Sequence, residues 1–227
     1  MTEKINIQAI APFLADDFVD LVEPIFDIDR YSKFLNDNAA RLGTYKKYLI
    51  CKLHDSSVIG TTHDNNRFTI TLNDYSTYVF ADTMIDKYNL PIDSDHISFP
   101  LTLELTGDLI IEFNNVDDDG NLIKISPTKI DEYLYEQVTH LDQDRIQIVF
   151  HFWQSNLKDD KPGSRIIVIA SANGLSVTEN QDHAWLELFG DKYNGLYKYF
   201  KKQFDSDRFV SDHSECEKLI DEYVLIN

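Results

Sequence analysis

Residues 101–113 read LTLELTGDLIIEF, and the two β-prone runs there, parted by Thr106, Gly107 and Asp108, predict a β-hairpin. Leu101, Leu103 and Leu105 alternate with polar residues, as on a strand with one buried face. Similar short runs lie on both sides: YKKYLICKL, RFTITLN, NLIKI, RIQIVFHFW and RIIVIAS, each rich in β-branched or aromatic residues and bounded by Asp, Asn, Gly or Pro. A mainly antiparallel sheet is therefore expected over residues 45–177.

Before and after this block the period changes to that of helices. Phe13, Phe18, Leu21, Val22, Ile25 and Phe26 recur every three or four residues, with Pro24 as a break, and a second helix runs from about Tyr31 to Leu42, ending at Gly43. At the other end Thr178 and Gln181 have capping-box spacing, and Ala184, Trp185, Leu188 and Phe189 form an apolar face that stops at Gly190. Leu196, Tyr197, Phe200 and Phe204 line the next helix. Cys216, Leu219, Ile220 and Tyr223 line a last one, capped by Ser211. Inside the β-rich block, SPTKIDEYLYEQVTHL is read as a short helix: Ser126 caps it and Ile130, Tyr133, Leu134 and Val138 share a face. Residues 75–89 fit neither period clearly. Segregated helices and strands of this kind predict an α+β fold, an antiparallel core flanked by N-terminal and C-terminal helices. We read one domain over 1–227, with a helical arm at 1–44, the β-rich core at 45–177 and a helical part at 178–227. There is no internal repeat and no low-complexity tract.

Composition narrows the function. The chain has 21 basic and 39 acidic residues, a formal charge of −18, which opposes nucleic acid and anionic membranes because both are bound through Lys and Arg. No apolar run reaches the roughly 18 residues of a membrane span. The start, MTEKINIQAIAPFL, lacks a continuous apolar core followed by a cleavage pattern, so the chain is read as soluble and cytoplasmic. Cys51 and Cys216 are too far apart in sequence for a CxxC site and are read as buried reduced thiols. No cofactor is expected, because GxGxxG, GxxxxGK[ST] and GxSxG are all missing.

Residues 53–74, LHDSSVIGTTHDNNRFTITLND, resemble a segment of an uncharacterised bacterial family whose members open with Leu-His-Asp-Ser or Leu-His-Asp-Ala, followed by an isoleucine strand, a polar turn and a TITL strand. YLYEQVTHLDQDRIQIVFHF and RIIVIASANGLSV resemble that family's Tyr-Asp-Glu segment and last two strands, although Tyr135, Glu136 and Gln137 stand in place of Tyr-Asp-Glu. The resemblance covers residues 45–177. It implies the same sheet-centred architecture and no established activity.

NNVDDDGNLIKIS, residues 114–126, is the stretch closest to a metal loop. With Asn115 at position 1, Asp117, Asp119, Gly120 and Asn121 fall on EF-hand positions, but position 12 is Ser126 where a bidentate Glu is needed. Asp-Gly between two β-like runs reads as a turn, with weak cation binding from Asp117 to Asn121 left open. No metal site is assigned. The seven histidines form no HxxxH or HExxH pair, and His54-Asp55 is one isolated dipeptide, read as a structural strand end.

A wider electrostatic feature remains. Between Tyr88 and Ile123 there is no Lys or Arg, while Asp93, Asp95, Glu104, Asp108, Glu112, Asp117, Asp118 and Asp119 supply eight negative charges. If the hairpin places Glu104 and Glu112 on one face, these residues form an acidic surface complementary to a basic protein. The reading is a non-enzymatic binding protein, of the immunity or inhibitor kind. Two alternatives stand beside it: a carboxylate-dependent, metal-assisted hydrolase built from distant residues, and a homo-oligomer pairing the Lys198 to Lys202 edge with the acidic sheet of another copy.

Overall fold

The computed structural model describes residues 5–11, 28–50, 52–117, 119–142, 144–154, 163–206 and 212–226. It is an α+β fold in which nine antiparallel strands form one sheet between N-terminal and C-terminal helices. The helical reading of residues 12–27 lies outside the described residues, as do Cys51, Asp118 and Ser211. The helix predicted from Tyr31 to Leu42 is present in two pieces, α2 (Ile28–Asp37) and α3 (Ala39–Leu42), after a short α1 (Ile7–Ile10). Gly43 ends it with φ of 53°.

The strands are β1 (Ser56–His63), β2 (Arg67–Asn73), β3 (Pro100–Thr106), β4 (Ile110–Val116), β5 (Leu122–Ile125), β6 (Glu132–Leu141), β7 (Ile146–Gln154), β8 (Ser164–Ala172) and β9 (Gly174–Glu179). Their order is β5-β4-β8-β7-β6-β1-β2-β3-β9. The predicted hairpin of 101–113 is therefore absent, because β3 pairs with β2 and β9 while β4 pairs with β5 and β8. Residues 100–116 instead run alongside 164–179 through a shared corner. Gly107 (φ 76°) and Asp108 (φ 40°) bend one strand, Asn173 bends the other, and the Asn173 N–H donates to the carbonyls of Thr106 and Gly107, both at 3.1 Å. A side chain at Gly107 would meet Asn173 Oδ1 at 3.0 Å, and one at Gly174 would meet Thr106 Oγ1 at 2.7 Å. The glycines here serve close packing at a bend, where the sequence suggested a turn.

The bend folds the sheet over its own core. Phe68 of β2 lies edge-on to Phe113 of β4 at 6.4 Å and to Phe150 of β7 at 6.3 Å. Alternation holds where one face is buried: Phe68, Ile70 and Leu72 point inward from β2, and Leu101, Leu103 and Leu105 from β3. It fails in β6, and the segment read as a helix from Ser126 is extended up to Asp131 and then a strand. Register shifts between Tyr133 and Tyr135 and between Val138 and His140 are the reason. Tyr133, Glu136, Val138 and Leu141 face the same side as Phe152, Phe150, Ile148 and Ile146 across the pair, so the inward spacing becomes three, two and three. That spacing imitates a helix.

β1 covers β6 only at Ser56 and Ser57, which leaves the far part of β6 without a strand on that side. The N-terminal arm closes the gap. Tyr31 is fully buried and its hydroxyl accepts the Val138 N–H at 2.8 Å. Beside it Tyr133 donates to Glu136 Oε2 at 2.8 Å, and the buried Tyr45 lies close by. Burial, and then the Glu136 carboxyl, push the Tyr45 and Tyr133 hydroxyls well above the usual value.

The remaining helices are α4 (Tyr75–Tyr88), α5 (Gln181–Phe189), α6 (Asn194–Asp205) and α7 (His213–Ile226). They pack around Trp185, which is fully buried and stacks on Tyr197 at 4.5 Å and near Phe80 at 5.8 Å; Phe80 in turn stacks on Phe200 at 4.2 Å. Residues 75–89 gave no clear period because α4 is buried on more than one face, with Ser76, Thr77 and Thr83 inside as well as Val79, Phe80 and Met84. Thr83 donates to the Val79 carbonyl at 2.7 Å, which lets a hydroxyl sit in the core. The predicted capping box is replaced: Thr178 belongs to β9, and Gln181 turns its side chain inward to Asp74. Asp212 caps α7, accepting the Glu215 N–H at 2.9 Å.

Candidate functional site: an acidic face carrying two tyrosines

The structure distributes the acidic stretch over separate places. Glu104 stands on β3 with Arg67 at 3.4 Å, and Glu112 stands on β4 with Lys124 at 2.8 Å. Those strands are not neighbours, so strand pairing does not bring the two glutamates together. Asp108 sits at the corner, where its carbonyl accepts from Arg145 at 2.9 Å. Asp117 is an acceptor inside the β4–β5 turn, taking N–H bonds from Asp119 at 3.1 Å and from Asn121 at 2.8 Å. The Asp-Gly turn is thus present, with Gly120 at φ 78°, and β5 leads into extended chain, so Ser126 caps nothing. Asp93 and Asp95 lie elsewhere, in a 3-10 turn after α4, where Asp93 accepts the Asp95 N–H at 3.1 Å.

Asp95 takes part in a different acidic grouping. On α4, Tyr75, Tyr78 and Asp82 recur at spacings that align them along one helix face, and the two tyrosine rings stack with centroids 6.4 Å apart and planes 22° apart. Both residues are half-buried. Partial burial, followed by the carboxylates of Asp55 and Asp212, raises the Tyr75 hydroxyl pKa. Burial and then Asp82 and Asp95 do the same to Tyr78. The charges of four carboxylates from four different segments therefore act on one aromatic pair. Their partners within ion-pair distance, among the described residues, are imidazoles: His54 Nδ1 is 2.8 Å from Asp55 and His213 Nε2 is 3.6 Å from Asp82.

Local backbone places these groups. Asp55 has φ of 63°, a left-handed conformation that Asp tolerates, and it turns the chain into β1. The same turn lays the His54 ring over Tyr135 at 4.6 Å, with His151 beyond at 6.1 Å from Tyr135. At the start of β6 stands Glu132, whose carboxyl feels the charge of Asp55. Burial first, and then Asp55, push the Glu132 pKa up, and His54 pulls it partly back. His54 is thus a strand-end residue, as its position suggested, and it also joins a carboxyl pair that only the fold assembles.

Among the described residues, no three His, Cys, Asp or Glu side chains gather as a metal site, and no helix is long and apolar enough to cross a membrane. The one cysteine described, Cys216, is buried, and burial pushes its thiol up to about 12. Tyr133 and Trp185 are core residues. No protein-family model, curated protein or solved structure matches the chain.

Proposed function

We propose that the protein is a non-enzymatic acidic binding protein and that its face around Tyr75 and Tyr78 engages a basic protein. The observation that carries the reading is the stacked, part-exposed tyrosine pair on which the charges of Asp55, Asp82, Asp95 and Asp212 act, with imidazoles as the only ion-pair partners of these aspartates among the described residues. Tyrosine is enriched at interfaces because it offers a large rigid surface with a polar tip, and carboxylates around it steer a positive partner and fix its orientation. An immunity or inhibitor protein holding a basic toxin would use such a face. Of the acidic stretch, Asp95 belongs to the contact directly and Asp93 flanks it, while the other six residues act through the net charge of −18. Neutralising the four aspartates to Asn should lower the association rate of the partner about tenfold or more at low salt, and the difference should shrink at high salt. Equal rates at both ionic strengths would sink the reading.

A second reading rests on the Asp55 and Glu132 carboxyls, whose charges act on each other, with His54 Nδ1 2.8 Å from Asp55. A carboxyl pair with one raised pKa can serve as acid and base in hydrolysis. Turnover of a phosphate or carboxylic ester that Glu132→Gln abolishes would support it. Failure of the wild-type protein to turn over either class would remove it.

A further inference from the structure

A concavity lined by lysines lies where α6 meets the end of β9 and the 3-10 turn of Gly43–Tyr48, and it measures about 700 Å³. That volume falls in the range of small-ligand sites. Four lysines converge on it, Lys47 from the turn and Lys198, Lys201 and Lys202 from α6, in a chain whose net charge is −18. Three carboxylates share the lining, and two of them are engaged. Glu179 accepts from Lys47 and from the Tyr48 hydroxyl, and Asp182 accepts the Tyr197 hydroxyl at 2.9 Å. Asp205 stands 3.7 Å from the same Lys47. Lys198, Lys201 and Lys202 have no carboxylate within ion-pair distance among the described residues, although Lys198 and Lys202 are one helical turn apart and repel each other.

Beneath the cleft the polar groups are buried and ordered. Asp74 is 1 % exposed; its Oδ2 accepts from Thr77 at 2.6 Å and from the Gln181 amide at 3.1 Å. Its Oδ1 and the Gln181 Oε1 are buried without a hydrogen-bond partner. Leu186, 41 % exposed, supplies an apolar wall.

We propose that this cleft binds a small, multiply charged anion, with Lys198, Lys201 and Lys202 contacting its charged groups and Leu186 its apolar part. Concavity favours a small molecule over a second protein chain, and three ammonium groups along one helix, with no carboxylate in ion-pair distance among the described residues, match a chain of phosphates or carboxylates. The proposal does not depend on the tyrosine face, and its test uses other residues.

The probes are tripolyphosphate and citrate, titrated calorimetrically into the wild-type protein and into Lys201→Ala, Lys201→Arg and the triple variant Lys198→Ala, Lys201→Ala, Lys202→Ala. Sodium chloride of matched ionic strength is the control. At least one probe should bind saturably with one site per chain. Lys201→Ala should weaken it about ten- to hundredfold, Lys201→Arg should retain most of it, and the triple variant should abolish it. Binding of tripolyphosphate alone would assign phosphate chemistry, and comparable binding of citrate would assign general polyanion recognition. No saturable binding of either, or binding that survives the triple variant while circular dichroism shows it folded, overturns the proposal. So would a change of oligomeric state in the triple variant without any effect on the probes, since the lysines would then face a second copy.

Discussion

Replacing Tyr31 by phenylalanine removes one oxygen and keeps the ring, which makes it a sharp probe of how the sheet is closed. β1 leaves β6 after two pairs, and the Val138 N–H finds its acceptor in the Tyr31 hydroxyl at 2.8 Å, with both residues fully buried. Deleting that oxygen strands a buried donor, which costs about 1–3 kcal/mol, more than the net worth of an ordinary hydrogen bond, because the N–H cannot return to water. The stacking of ring 31 on Phe34 at 6.4 Å is retained, so cavity formation adds little. For a chain of this length each kcal/mol moves the midpoint by roughly 2–4 °C, so Tyr31→Phe should melt about 2–12 °C lower. Tyr31→Ala adds the cavity and should cost about 3–5 kcal/mol. Urea titration followed by far-UV circular dichroism gives the free energies, and hydrogen exchange at Val138 reports the bond itself. A loss below about 0.5 kcal/mol with Val138 still fully protected would refute the reasoning.

Further expectations concern other buried groups. Asp74→Ala should cost about 1–3 kcal/mol by leaving the Thr77 and Gln181 donors unmatched, whereas Asp74→Asn, which keeps an acceptor and removes a buried charge, should cost less or stabilise at neutral pH; urea midpoints decide between them. Burial holds the Cys216 thiol up to about 12, above its usual 9, so its contribution to stability is complete below pH 9 and is lost as pH rises toward 12. Wild-type stability should fall across that window more steeply than that of Cys216→Ala. Gly107→Ala forces a side chain into a left-handed backbone against Asn173 Oδ1 at 3.0 Å and should destabilise by about 1 kcal/mol or more, measured by the same titration.

The sequence disclosed the α+β class and most strands because β2 and β3 keep a strict alternation with one buried face. It misled where geometry broke the period. Two bulges in β6 gave Tyr133, Glu136, Val138 and Leu141 a helix-like spacing, and burial on more than one face, polar residues included, blurred the apolar stripe of α4. LTLELTGDLIIEF looked like a hairpin since a Gly-Asp bend inside a folded sheet and a Gly-Asp turn between paired strands share the same residues; pairing with β8 and β9, far along the chain, distinguishes them. The acidic face was legible only in part. Tyr75, Tyr78 and Asp82 carry a helical spacing that an assigned α4 would have revealed, but Asp55 and Asp212 reach the same place from segments more than 150 residues apart. Charge counted along the chain found the excess of carboxylates and could not find where space brings them together.

The central claim is that the tyrosine face, rather than net charge alone, recognises a basic protein. The most direct measurement compares the affinity of the captured partner, identified by mass spectrometry, for wild-type protein, for Tyr75→Ala with Tyr78→Ala, and for Glu104→Gln with Glu112→Gln, across a salt series. The two charge-neutralised glutamates lie on separate strands and should change affinity less than about threefold. The tyrosine pair should cost about 2 kcal/mol or more, a thirtyfold loss that persists at high salt. Equal losses in both variants, or a tyrosine effect that vanishes with salt, would contradict the claim and leave bulk electrostatics as the whole of the interaction.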